Sequence, residues 1–260
     1  MLNSSSSLIN TESSWLPSMP NLSLNIPLLF CFSYAGGSSE IYRQWQTSMK
    51  NICQICPVEL PGRGSRFGES FCDSLLSAAE EAANAIAPYT QSPYILFGHS
   101  LGSVMALETA RKLQSNASPS PLCLIVSGRF PPHAQPPRKQ LHTMPDTALI
   151  DEMRRLGGTP EEILENKEIL DMMLPIVRED FRLIETHKSD LLPCLNIPIY
   201  VCCGRDDEDS PIYLLTQWKE ITDKTCSINL FDGGHFYINE SRDALIRHIC
   251  SIIKKLYNPN

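Results

Sequence analysis

PYILFGHSLGSVMALETARKLQ, residues 93–114, is the stretch that decides the fold. PYILF (93–97) is a short apolar run behind a proline, the pattern of a strand covered on both faces. SLGSVMALETARKLQ (100–114) reads as a helix. Between them stands Gly98-His99-Ser100-Leu101-Gly102, a G-x-S-x-G. Glycine and serine are common, so the motif alone is weak. A strand before it and a helix after it give the context of an exposed nucleophile turn. A serine on so tight a turn has a strained backbone, and its neighbours two positions either side must be small. The helix that starts there aims backbone N–H groups and its positive end at developing negative charge. The rival reading is a glycine-rich turn that only packs a helix on a strand.

Working outward, further short apolar runs bounded by Gly, Pro or Asp read as buried strands: 26–32, 52–60, 122–128, 197–204 and 226–231. Helical patterns alternate with them. Ser38 or Ser39 can cap a helix carrying Ile41, Tyr42, Trp45 and Met49, and Asp73 can cap the next, which ends at Pro88. The last, 240–257, finishes in lysines that suit a helix C-terminus. Alternating strand and helix implies an α/β fold with a mostly parallel central sheet flanked by helices. From about 130 to 190 no strand is expected. A Pro-rich connector is followed by helical segments at 146–157 and 166–188, the second expected to kink or split at Pro175. An insertion there would sit over the strand ends as a helical lid. The expected layout is a flexible tail over 1–25, Ser- and Asn-rich, and one domain over 26–260.

With 260 residues the chain is long enough to bury a large core without staples. Its net charge of −7, with both signs interspersed, argues against nucleic acid as a partner. No apolar run reaches the length of a membrane span, so no membrane partner is expected. The N-terminus shows neither a basic segment nor an apolar one, so no secretory signal is read and the expected location is cytoplasmic. The ten cysteines are then expected to be free thiols buried as small hydrophobes. Cys53 and Cys56 form a lone C-x-x-C without further ligands at zinc spacing, so neither a metal nor a cofactor is expected.

A nucleophilic serine needs a base, and the α/β-hydrolase fold supplies it in the chain order Ser, acid, His. Of six histidines, His235 alone follows a late strand and precedes the last helix, with Gly233 and Gly234 freeing its loop. His99 is spent inside the turn, His248 lies within the final helix, and His133, His142 and His187 fall in the insertion. The rival for His235 is a solvent-facing loop histidine. The acid should follow the strand at 197–204, where Gly204-Arg205-Asp206-Asp207-Glu208-Asp209 offers several carboxylates. Asp207 is preferred and Asp206 is the alternative; most of the others are a solvated acidic loop. The other place for such an acid reads Arg129-Phe130-Pro131 and holds none. For an oxyanion hole, the donors expected are the backbone N–H groups of Leu101 and of Ala35 in SYAGGSS (33–39).

These pieces resemble the type II thioesterases, stand-alone α/β-hydrolases that serve nonribosomal peptide and polyketide synthetases. The matching segments are Phe32-Ser33-Tyr34-Ala35-Gly36-Gly37, Leu60-Pro61-Gly62-Arg63-Gly64-Ser65-Arg66, Phe97 to Gly102, Ser127-Gly128-Arg129 and Phe231-Asp232-Gly233-Gly234-His235-Phe236. They run in the family's order across roughly residues 27–255. From residues alone, the PGR-x-x-R element is a turn with two arginines suited to an anion contact; as a motif it is characteristic of the family. Ser33 stands where the family usually has proline, Ser103 where glycine is common, and the acid loop lacks a following proline.

The resemblance implies hydrolysis of acyl groups held as thioesters on the phosphopantetheine arm of an acyl or peptidyl carrier protein. Its role would be to clear stalled or misprimed groups from the synthetase. A monomer is expected. Rival readings keep the same triad in a general carboxylesterase or lipase for small soluble esters, or in a product-releasing thioesterase. A non-catalytic member of the fold is a third.

Overall fold

The computed structural model describes residues 13–19, 26–134, 140–188 and 193–257. All six expected strands form: β1 (Leu28–Phe32), β2 (Gln54–Val58), β3 (Tyr94–His99), β4 (Leu124–Ser127), β5 (Ile199–Gly204) and β6 (Cys226–Phe231). They make one sheet in the order β2-β1-β3-β4-β5-β6, every neighbouring pair parallel. The central strands β1, β3 and β4 are buried along their whole length. Side chains alternate across the sheet: Leu28, Phe30 and Phe32 face one core, Leu29 and Cys31 the other.

Helices α2 (Leu75–Ile86) and α3 (Leu101–Ser115) pack on the first face. Helices α1 (Trp45–Met49) and α9 (Arg242–Leu256) pack on the second. Two short helices, α7 (Ile212–Leu215) and α8 (Tyr237–Glu240), complete the loops after β5 and β6. All ten cysteines are free thiols, and seven are buried.

Between β4 and β5, among the described residues, there is no strand. Helices α4 (Asp146–Leu156), α5 (Glu161–Leu164) and α6 (Lys167–Thr186) form the insertion. It has its own small core of Leu149, Met153, Leu164, Leu170, Leu174 and Val177. Phe181 packs against both this core and the main one.

Several local expectations are corrected. Helix α6 continues unbroken through Pro175, because its apolar stripe is packed on both sides of the proline. The N-cap of α2 is Ser74, which accepts from Ser77 N–H at 3.1 Å in a reciprocal box with the Ser77 hydroxyl, rather than Asp73. The Ser38–Met49 segment is a 3-10 turn (Ser39–Tyr42) followed by α1, and neither serine caps it. Ser39 instead bonds Glu59 through its N–H and its hydroxyl, at 3.0 and 2.7 Å.

The flexible tail expected over 1–25 does not hold at residues 13–19; the rest of it lies outside the described residues. Trp15 and Leu16 are buried in the main core. Trp15 Nε1 donates to Glu81 at 3.1 Å, its carbonyl accepts from Glu59 N–H at 2.9 Å, and the Arg66 guanidinium lies 4.7 Å over its ring. An apolar indole outweighs the polar composition around it. Truncation of a buried tryptophan costs about 3–5 kcal/mol, so Trp15→Ala is expected to lower unfolding free energy by roughly that amount in urea titration. A loss near zero would show that this segment adds no stability.

Candidate active site

The sheet order changes direction between β1 and β3. At such a switch point the loops leaving two adjacent strands run to opposite faces and open a crevice at the carboxyl edge. The register sets Phe32 beside Gly98, Gly98 beside Val126 and His99 beside Ser127. The loop at 33–38 and Ser100 therefore leave the sheet side by side.

Ser100 sits at φ +55°, ψ −116°, a conformation that a residue with a side chain rarely adopts. Its environment leaves little alternative. A Cβ on Gly98 would lie 1.9 Å from Gly102 O, and one on Gly102 would lie 2.2 Å from Phe32 O. Ser100 N–H donates to Ser127 O at 2.8 Å. The Ser103 hydroxyl lies 2.8 Å from Gly98 O and 2.9 Å from Ser127 O, and accepts Ser127 N–H at 3.0 Å. Ser103 thus ties the turn to β4, a role that a glycine at this position would lack.

His235 reaches the serine from the loop after β6. Its Nε2 is 3.1 Å from Ser100 Oγ, and its Nδ1 is 2.9 Å from Asp207 Oδ2. Asp207 is buried, whereas Asp206 is exposed and its N–H donates to Gly233 O at 3.0 Å. Of the two candidate acids, Asp207 is the one placed on the His235 ring. The second oxygen of Asp207 accepts Asp209 N–H at 3.1 Å. Burial pushes the Asp207 carboxyl up, but its bond to His235, the ring's charge and the Asp209 N–H more than offset this, and the group sits below the usual carboxylate range.

The remaining histidines have other partners. His142 Nδ1 is 2.6 Å from Glu185, His187 Nε2 is 3.2 Å from Glu108, His133 Nε2 is 3.4 Å from Glu220, and His248 packs on the Phe231 ring. His99 is fully buried, with Nδ1 2.8 Å from Ser127 Oγ, which is itself 2.6 Å from Tyr237 OH.

A cavity of about 340 Å³ opens above Ser100 and His235. Ala35 and Leu101 line its floor, and its walls come largely from the insertion, with Met153, Leu156, Ile163 and Val177. Near it Arg155 of α4 donates to both Glu152 and Asp209, at 2.5 Å each. That link ties the insertion to the loop carrying Asp207.

Sequence reasoning missed one feature. The PGR-x-x-R arginines are internal, not free for an anion. Arg63 pairs bidentately with buried Asp180 of α6, and Arg66 donates to Glu59 O at 3.1 Å and to Glu69. The available signal was Asp180 itself, a carboxylate interrupting the apolar stripe of Leu170, Leu174, Val177 and Ile184.

Burial and the nearby His235 charge lower the His99 pKa to about 3. The unfolded chain binds this proton below about pH 6.5 while the native state stays neutral down to about 3, so stability rises with pH across that window. Replacing His99 with Asn is expected to flatten the acid limb between pH 6 and 4 by up to about 1.4 kcal/mol per pH unit. Urea titrations of both proteins at successive pH values check this; parallel curves would contradict it.

The family profile described as Thioesterase domain matches residues 27–253. Linear gramicidin dehydrogenase LgrE of Brevibacillus parabrevis is 34% identical over 94% of this chain and 94% of its own length. Among solved structures, ClbQ from the colibactin NRPS/PKS pathway superposes with a TM-score of 0.84 at 29% identity, covering 89% of this chain and 98% of that one. The type II thioesterase BorB from the borrelidin biosynthetic cluster superposes at 0.79 with 33% identity, covering 94% and 100%. On its fold, its match along nearly the whole chain and these relatives, the protein belongs to the thioesterase family of α/β-hydrolases.

Proposed function

We propose that this chain hydrolyses acyl thioesters on the phosphopantetheine arm of acyl or peptidyl carrier proteins, clearing stalled or misprimed groups from a nonribosomal peptide or polyketide synthetase. The observation that carries the reading is the line from Asp207 through His235 to Ser100, with bonds of 2.9 and 3.1 Å, at the floor of an apolar cavity. The likeness to ClbQ and BorB supports the pathway class. LgrE's name gives it a dehydrogenase reaction; the reading here rests on this chain's own site.

In the proposed mechanism Ser100 Oγ attacks the thioester carbonyl while His235 Nε2 takes its proton. Asp207 holds Nδ1–H and stabilises the imidazolium. The N–H groups of Ala35 and Leu101 receive the negative charge on the carbonyl oxygen, each worth about 3 kcal/mol in the transition state. The tetrahedral adduct collapses, the C–S bond breaks, and the thiolate takes the proton from His235. Water then attacks the acyl-serine, losing a proton to His235, and the C–O bond to Ser100 breaks to free the acid as His235 returns that proton to Ser100 Oγ.

The insertion at about 130–190 acts as a lid on a single domain over 26–260. A long thin pantetheine arm suits a covered channel better than an open cleft. The protein works as a cytoplasmic monomer. Among the described residues no helix is long and apolar enough to cross a membrane.

Release of acyl groups from a panel of loaded carrier proteins tests this. Ser100→Ala should lower kcat on the order of 10⁶-fold. Equal rates would exclude Ser100 as nucleophile. A strong preference for a free p-nitrophenyl ester would favour a general esterase instead.

A further inference from the structure

The mechanism leaves one buried charge pair without a task. Asp180 of α6 has no exposed surface, and Arg63 is 3% exposed. Asp180 Oδ1 accepts from Arg63 Nη2 at 2.7 Å, and Oδ2 accepts from Nη1 at 2.5 Å. The same Oδ2 accepts the backbone N–H of Gly36 at 2.7 Å, and Arg63 Nη1 reaches Gly37 O at 3.4 Å. Gly36 and Gly37 directly follow Ala35, the expected donor to the oxyanion.

A second contact comes from the same helix. Gly36 has φ +78°, and a Cβ on it would lie 2.8 Å from Val177 Cγ2, one turn before Asp180. The loop after β1 is thus clasped by α6 through a charge-assisted bond and a close apolar contact. Its other groups are fastened too: Ser33 Oγ donates to Gly37 O at 3.1 Å, and Gly37 N–H to Tyr34 O at 2.9 Å. Among the described residues the Ala35 N–H meets no acceptor.

A peptide unit is rigid, so holding Gly36 N–H fixes the Ala35–Gly36 plane and leaves two torsions between it and the Ala35 N–H. An oxyanion donor must be set before charge develops, to within about 0.5 Å. A bond to an ionised acceptor in a low-dielectric interior is stiff enough for that. Burial works against the Arg63 charge, but the Asp180 carboxylate more than offsets it, so the guanidinium remains protonated.

We propose that Asp180, charge-balanced by Arg63 of the PGR-x-x-R element, is a positioning residue that sets the Ala35 N–H for the oxyanion through Gly36. It touches no substrate. The inference rests on the acyl-transfer reading of Ser100. It gives the motif a catalytic consequence and couples the insertion helix to the oxyanion loop.

The test uses the full chain with an acyl-N-acetylcysteamine thioester and an acyl trifluoromethyl ketone as tetrahedral mimic. The double variant Arg63→Met with Asp180→Leu keeps the volume without leaving a lone buried charge. It should lose kcat on the order of 100-fold while KM stays near wild type, and bind the ketone more weakly by a similar factor. Asp180→Asn keeps an amide oxygen for Gly36 N–H and should recover most of that loss. The Asn variant also serves if the double variant does not fold, since it should then still show a reduced kcat at unchanged KM. A folded variant with wild-type kcat and ketone affinity, or with a change in KM alone, would overturn the proposal and leave the pair as an anchor for α6. Wild-type protein inert toward the thioester, or an active Ser100→Ala, would overturn the acyl-transfer reading and this inference with it.

Discussion

The backbone at Ser100, strained at φ +55°, is the constraint on which the other features of this site depend. Such a conformation costs about 1–3 kcal/mol and persists only when its surroundings over-determine it. Here they do. Two glycines leave no room for side chains, Ser127 O holds the Ser100 N–H, and the Ser103 hydroxyl binds the turn to β4. The strain lifts Oγ off the sheet edge and starts α3 directly beneath it. Without it the Ser100 hydroxyl would not meet the His235 ring.

The parallel sheet supplies that target's surroundings. Every strand delivers its carboxyl end to the same edge, so the loops after β1, β3, β5 and β6 meet there although they lie up to two hundred positions apart. The insertion closes the space above them and is tied down unequally. Arg155, half-exposed, links α4 to Asp209, a contact worth about 0–1 kcal/mol by itself. The Arg63–Asp180 pair is fully enclosed, where loss of one partner would strand a charge at about 3–5 kcal/mol. The tie at Arg155 is therefore the weaker of the two.

How far the site was legible follows from chemistry and spacing. Ser100 and His235 stood out because each lies on a glycine-bearing turn directly after a strand, a setting that no other histidine outside the Ser100 turn shares. The carboxylate was ambiguous because Asp206 and Asp207 are neighbours of identical chemistry. Only the turn after β5, with Asp206 N–H bonded to Gly233 O, decides which side chain faces inward. Trp15 was hidden by the polar residues around it, and continuous α6 by a proline whose breaking tendency its packed stripe overrides.

Short apolar runs alternating with amphipathic segments determined the six parallel strands, their helices and the insertion, because burial on both faces leaves such runs few other structures. The sequence likewise singled out Ser100 and His235 as the candidate pair. The tertiary structure alone decided that Asp207 rather than Asp206 meets His235, the docking of residues 13–19, the internal pairing of the two arginines and the clasp of Asp180 on Gly36. These contacts join positions far apart in the chain, and no local pattern specifies the partner of a buried charge until the chain has closed around it.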